Sequence, residues 1–264
     1  ASLPVVSSGS FTGATGTVKA GALFYNEIIA NNTQGLVGAN YNDMINLLAN
    51  KDDYQYNVLL TPGLTSQENS SQISSIISNT ENRGDNIFVL DLVPFDIDST
   101  AVVTSAASNK NTSYAAAYWP WVQLRDPDTS ALVYVPASTV IGGVYAKNDS
   151  LAAPWFAPAG INRGGLTLVS KAKLKLSQND RDNLYSKKVN PIATLNNIPV
   201  VYGQKTLQTE ASALDRVNVR RLLIALKGYI SQVANTLVFE QNTVATRNNF
   251  LAQVNPYLES VQQR

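Results

Sequence analysis

The sequence predicts an α/β fold (α+β over its whole length), with a layered α/β domain followed by a smaller α+β domain that ends in a helical pair. Short apolar runs alternate with helical patterns through the first half, which is the rhythm of an α/β layer. Pro, Gly and the aromatic pair Trp155-Phe156 gather at 149–165, as at a junction between domains. Two long helical patterns close the chain.

Residues 1–20 are rich in Ser, Gly and Thr and read as a loosely held lead-in. A short apolar patch at 23–29 precedes a loop at 31–40; Tyr41, Met44, Ile45 and Leu48 then share one helical face. Residues 54–60 read as a strand closed by a turn at Thr61-Pro62-Gly63, and 66–80 as a helix packing through Ile73, Ile76 and Ile77 and ending near Gly84. The near-continuous apolar run at 86–93 fits a strand buried on both faces of a parallel sheet. A helix at 98–108 follows, then a strand at 113–124 whose Pro120, between Trp119 and Trp121, places it at or near a sheet edge. Asp126-Pro127-Asp128 is a turn, 132–135 a short strand, and Pro136 starts a helix that runs to about Lys147.

The junction divides an α/β domain at 21–153 from a second domain at 154–264. There Lys171, Lys173 and Lys175 alternate with Ala172, Leu174 and Leu176, a charged strand face of the kind that protects an open edge. Ser177 and Asp180 cap a helix that reaches Lys188 and stops at Asn190-Pro191, and 198–202 is a strand. The stretch at 207–242 organises this half. Val219, Leu222, Leu223, Leu226, Ile230 and Val233 lie on one helical face, with Ser212 and Asp215 as an N-terminal capping box. Arg216, Arg220 and Lys227 share the opposite stripe with Arg221 beside it. Arginines in the first turns oppose the helix dipole, which a bound acidic surface or an internal carboxylate would explain; an ordinary solvated basic face is the alternative. In the last helix, at 243–262, Pro256 is expected to kink or interrupt the turns.

Composition narrows the chemistry. The sequence has 264 residues, 44% apolar and 15% charged, enough for one large or two modest cores and without the signature of disorder. A net charge of +1 argues against bulk attraction to nucleic acid or membrane, and no apolar run is long enough to span a bilayer. With neither Cys nor His, thiolate and Ser-His-Asp catalysis and the usual zinc ligands are excluded, leaving carboxylate, Lys or Tyr chemistry. No catalytic, cofactor or metal site is expected. The 62–66 loop lacks the glycine spacing and the Lys of a phosphate-binding loop, and Asp91, Asp96 and Asp98 are framed by no ligand motif. Trp119 and Trp121 read as core or subunit contacts before they read as a stacking platform. In the 157–164 loop, Pro158 and Gly160 fix the path, Gly164 permits close backbone approach, and Arg163 beside Asn162 offers a bidentate donor to this junction or to another subunit. The start at Ala1 and the end at Arg264 after a helical pattern suggest a stable core cut from a longer protein.

Four motifs then carry a resemblance: Trp155-Phe-Ala-Pro-Ala-Gly-Ile-Asn-Arg-Gly164; Asp180-Arg181 through Leu184-Tyr185 to Asn190-Pro191; Tyr202-Gly-Gln-Lys-Thr-Leu207; and Asp215-Arg-Val-Asn-Val-Arg-Arg-Leu222, with Phe239-Glu-Gln-Asn242 after it. In this order the chain resembles the tail sheath proteins of contractile-tailed bacteriophages, specifically from Trp155 to about Glu259 and diffusely before that. The resemblance implies a structural subunit and no enzyme. Such subunits ring a tail tube in a strained extended lattice, and contraction drives the tube through the host envelope on energy stored at assembly, with no cofactor. It implies that 21–153 is the α/β sheath domain and 154–264 the inner domain facing the tube. Implied partners are other sheath subunits, the tube protein, and baseplate and terminator proteins, with no nucleic acid or membrane, in a virion assembled in the host cytoplasm. Candidate intersubunit or tube contacts are Asn162, Arg163, Lys205, Arg216, Arg220, Arg221, Lys227 and Arg247. The family's opening segment and the strand-rich segment after its last helix are absent, so the chain alone is expected to stay monomeric. The alternative is a ligand- or carbohydrate-binding α/β module using Trp119, Trp121 and Trp155; an enzyme with paired carboxylates comes third.

Overall fold

A computed structural model describes residues 6–7, 35–36 and 41–263, so most of the lead-in, the 23–29 patch and the 31–40 loop lie outside the described residues. The elements are β1 (Val6–Ser7), β2 (Gly35–Leu36), α1 (Tyr41–Leu48), β3 (Val58–Thr65), α2 (Ser70–Arg83), β4 (Ile87–Asp91), α3 (Thr100–Ser108) and β5 (Ala115–Trp119). There follow β6 (Val122–Arg125), β7 (Leu132–Val135), α4 (Ser138–Leu151), α5 (Gly160–Arg163), β8 (Val169–Ala172), α6 (Gln178–Ser186), β9 (Val189–Leu195), β10 (Ile198–Val201), α7 (Val217–Asn235) and α8 (Val244–Gln262).

The central sheet has the order β10-β9-β5-β4-β3, with β3, β4, β5 and β9 parallel and β10 antiparallel on β9. Both faces of its middle strands are buried, and the side-chain period of two sends neighbours into different cores. Phe88, Leu90, Ala115, Ala117 and Trp119 pack with Ile73, Ile76, Val103 and Leu184 from α2, α3 and α6. Ile87, Val89, Ala116 and Tyr118 pack with Ile141, Tyr145, Val217 and Ile224 from α4 and α7. The second core also takes Val122, Val169 and Ala172 from the smaller antiparallel sheet β7-β6-β8. The α/β layering read from the sequence is present, with two cores on opposite faces of one sheet.

Several boundaries differ from the expected ones. Thr61-Pro62-Gly63 is no turn: β3 runs through it with a register shift between Leu60 and Thr65, Gly63 at φ 99° supplying the irregularity. The strand expected at 113–124 is two strands in two sheets, parted at Pro120, and β5 lies in the middle of its sheet. Asn190-Pro191 sits inside β9 instead of ending a helix. Pro191 is tolerated where the ladder to β5 ends at Trp119 and the ladder to β10 begins at Ile192, so its missing N–H breaks neither. β8 is an edge strand, as its lysines suggest, but it stops at Ala172, and Lys173 folds back onto the Phe95 carbonyl and the Asp98 carboxylate. The expected boundary at 153/154 runs through both sheets, since β9 and β10 complete the central one and β8 the smaller one. Ser177 and Asp180 do form a capping box on α6. Ser212 instead caps a short 3-10 turn at Ala213–Asp215, and α7 starts at Val217 with no side-chain cap. α8 continues through Pro256, which cannot donate to the Ala252 carbonyl.

Asp91 closes β4 in the second core. Its buried carboxylate accepts from the Ser138 N–H at 3.1 Å and the Ser138 hydroxyl at 2.6 Å, and so caps α4. Burial pushes this carboxyl up to about 7, against the two Ser138 bonds that pull it down. It has no second carboxylate beside it in that cap, and no group of three acidic residues arranged for a metal exists among the described residues.

Candidate assembly surface

The motif residues converge on one junction around Asn190. Its amide donates to the carbonyls of Ala117 (3.1 Å) and Lys205 (2.8 Å), and its oxygen accepts from the Lys205 N–H at 2.6 Å. A side chain on Gly203 would lie 2.9 Å from that oxygen and 3.1 Å from Pro191 Cδ, so the chain can pass here only as glycine. Residues 204–206 then run beside 215–217: Thr206 N–H donates to the Asp215 carbonyl, Val217 N–H to the Gln204 carbonyl, and the Thr206 hydroxyl to Leu214. Tyr185 receives two cations. Lys205 Nζ lies 4.1 Å above its ring and donates to its carbonyl, and Arg216 donates to its hydroxyl at 2.5 Å. Partial burial, and then the charges of Lys188 and Arg216, hold the Lys205 ammonium below its ordinary range.

The 157–164 loop is a second fixed feature. Gly160 adopts φ 82°, Gly164 N–H donates to the Gly160 carbonyl at 2.7 Å, and a Cβ on Gly164 would sit 2.8 Å from Ala159 Cα. Arg163 spends its Nε–H on the Ala157 carbonyl of the same loop and lies over Phe156. The loop then docks on β10 through Val201 N–H to Gly164 and Leu166 N–H to Pro199.

The arginines of α7 turn inward. Arg221, 4% exposed, makes a bidentate pair with Asp149 at 2.8 and 2.5 Å and stacks over Tyr145. Arg220, 8% exposed, donates to the Ser113 hydroxyl and lies 4.0 Å from the centre of the Tyr114 ring. The helix faces expected from the sequence are therefore kept only in part: Val233 is buried and Lys227 exposed as expected, but Arg220 and Arg221 turn inward. Val217, Arg220, Arg221 and Ile224 form the buried stripe, while Leu223 is 41% exposed and Leu222, Leu226 and Ile230 are half-buried. Of the alternatives for these arginines, the internal carboxylate exists for Arg221. Of the eight candidate contacts, Arg163, Lys205, Arg216, Arg220 and Arg221 are half-buried or buried and bond within this chain, while Asn162, Lys227 and Arg247 stand exposed, the last two with single long bonds to the Gly84 and Thr243 carbonyls. Asp149, Ser113 and Asn190 are the partners that sequence reasoning did not assign.

Beyond this junction, α7 and α8 form a pair joined by the Tyr229 and Tyr257 rings, 4.2 Å apart, with Val233 and Val254 buried. The apolar residues Val238, Phe239, Val244 and Leu251 stay exposed around their connection. Trp119 and Trp121 are buried, the latter donating to the Val93 carbonyl, so neither offers a face to a sugar.

Residues 37–207 match the family described as phage tail sheath protein central domain. That span includes the motifs at 155–164, 180–191 and 202–207; the Asp215 helix motif lies beyond it, and the span begins well before Trp155, where the motifs are diffuse. The tail sheath protein of Vibrio phage KVP40 is 36% identical over 155 residues, which are 58% of this chain and 23% of that protein. That of Enterobacteria phage T4 is 37% identical over 127 residues, 48% of this chain and 19% of that protein. The chain thus spans about a fifth of the length of these curated relatives. In structure it is similar to the anti-feeding prophage helical sheath in its contracted state, with TM-score 0.68, 24% identity and coverage of 92% of this chain and 66% of that one. The sheath complex of an extracellular contractile injection system, also contracted, gives TM-score 0.67 at 21% identity, covering 99% and 71% of the two chains. These two likenesses show the fold, and the matched span shows the family: the chain belongs to the phage tail sheath protein central domain family.

Proposed function

We propose that this chain is the core of a structural subunit of a contractile phage tail sheath, which surrounds the tail tube and contracts to drive it through the host envelope. The single observation that carries the reading is the family match over residues 37–207. The geometry supports a structural rather than a catalytic part. Asp91 and the Tyr118–Tyr145 pair are sealed in the core, and Arg83 and Arg221 are spent on internal ion pairs. A rigid body of this kind can be carried through a lattice change without refolding, the work coming from contacts between bodies. On this reading the subunit's partners are other sheath subunits, the tube protein, and baseplate and terminator proteins, in a virion assembled in the host cytoplasm. The outward residues Asn162, Lys227 and Arg247 and the exposed apolar group around Phe239 are the proposed contacts with neighbours or tube.

Electron microscopy of the full-length parent protein expressed alone is the direct test. Hollow striated tubes are expected. Dispersed monomers that ignore added tail tubes of the parent phage would sink the reading.

A further inference from the structure

Three arginines of the described residues are buried, and they are not alike. Arg83, 1% exposed, pairs with Asp85 at 2.8 Å, and Arg221 pairs with Asp149. Arg220 has no carboxylate partner among the described residues. Its Nη2 donates to a neutral hydroxyl, its face rests on Tyr114, and its buried Nε has no hydrogen-bond acceptor. A guanidinium taken out of water without a counter-charge is costly, and the other two sites show how this fold ordinarily offsets that cost.

Arg220 is not sealed in. It lines an open pocket of about 510 Å³ together with Gly84, Tyr114, Leu223, Lys227 and Ile230. Lys227, two turns along the same helix and about 10 Å up its axis, brings a second cation to the same pocket. Its Nζ reaches only the Gly84 carbonyl, at a long 3.5 Å, and it too has no carboxylate partner among the described residues. The absent side chain of Gly84 makes room for the Lys227 ammonium beside the Tyr114 hydroxyl. A Cβ there would lie 2.7 Å from Lys227 Nζ and 3.4 Å from the Tyr114 hydroxyl, so an ammonium and a phenol share one small area. Two cations and a hydroxyl donor at one pocket, with apolar walls that lower the local dielectric, match an oxyanion and repel other cations.

We propose that the pocket between α7 and the C-terminal end of α2 is an oxyanion site, in which Arg220 and Lys227 hold a carboxylate or phosphate group that supplies the missing counter-charge. The inference concerns this chain by itself and does not rest on the assembly reading.

The test is thermal unfolding of the 264-residue chain in sodium phosphate, sodium acetate and sodium chloride at equal ionic strength. A ligand of the native state raises the midpoint saturably with its concentration. We expect that response for phosphate or acetate and not for chloride, the responding anion identifying the group. Phosphate also raises midpoints non-specifically by exclusion from protein surfaces, so the variants decide. Lys227→Met is expected to weaken the apparent affinity about tenfold, as loss of one charge-assisted bond does, with the fold intact because Lys227 is exposed. Arg220→Lys is expected to weaken it further. The proposal is overturned if the three salts act alike, or if Lys227→Met lowers the midpoint equally in all of them and leaves the anion response unchanged. The last result would assign Lys227 only to the end of α2. Should Arg220→Lys not fold, the Lys227→Met comparison decides alone.

Discussion

Two phenylalanines mark the contrast between the sheet layer and the terminal helical pair. Phe88 lies in the middle of β4, fully buried, while Phe239, between α7 and α8, is fully exposed. The sheet layer closes on itself, both faces covered and its buried arginines Arg83 and Arg221 paired. The helical pair buries Val233 and Val254 and leaves Val238, Phe239, Val244 and Leu251 to solvent. Among the described residues, α8 makes its substantial contacts with α7. The difference teaches where stability and interaction reside. The layer is held by what it has already buried, and the pair displays surface whose burial is still available for association.

The largest expected effect that sharpens this contrast is Phe88→Ala. It removes a filled core position and should lower the unfolding free energy by about 3–5 kcal/mol, measured by urea denaturation. Next comes Arg221→Ala, which leaves Asp149 without its partner where α7 meets α4, at a cost of about 3 kcal/mol. A loss below about 1 kcal/mol would mean that α7 is held by its apolar contacts alone. The third effect is a pH dependence. Asp91 titrates near 7 when folded and far lower when unfolded, so between about pH 4 and 7 the native state binds the extra proton. Stability should therefore rise as pH falls through 7 and level off near pH 4, with a slope of at most about 1.4 kcal/mol per pH unit from this group. Asp91→Asn should flatten that slope in melts taken across the window; an unchanged slope would assign it to other groups. The smallest effect is Phe239→Ser, expected to change stability by less than about 0.5 kcal/mol in the same urea assay. A loss as large as that of Phe88→Ala would erase the distinction between the two regions.

β4 was legible because a strand covered on both faces is an apolar run, and 86–93 is one. β9 was not legible, because Asn190 and Pro191 are ordinary helix stoppers and their actual use depends on neighbours far away in sequence. Asn190 replaces missing ladder contacts with bonds to Ala117 and Lys205, and Pro191 fits a gap between two ladders. The inward turn of Arg220 and Arg221 on α7 has the same origin. A pattern of Leu and Ile on one side and Arg on the other predicts that the arginines face water, unless a carboxylate waits for them. Asp149 stands 72 residues before Arg221, and nothing local announces it. The motif residues were visible as a set, and the structure gives several of them internal tasks: Gly203 passes Asn190, Gly164 lies against Ala159, and Arg163 holds its own loop. Short motifs report local geometry, whereas outward-facing roles leave a weaker trace because their partners belong to other chains.

The place of β9 has a consequence for how the chain comes to be folded. It is the neighbour of β5, yet Val189 follows Trp119 by a long excursion that includes the smaller sheet, α4 and α6. During synthesis the first three parallel strands emerge together and can find one another early. The sheet then waits with the β5 side open until β9 has left the ribosome, several seconds later at the usual rate of about 5–20 residues per second. Closing so long a loop is slow relative to local pairing. In that interval the exposed flank of β5 is the part of the nascent chain that a chaperone would have most reason to hold.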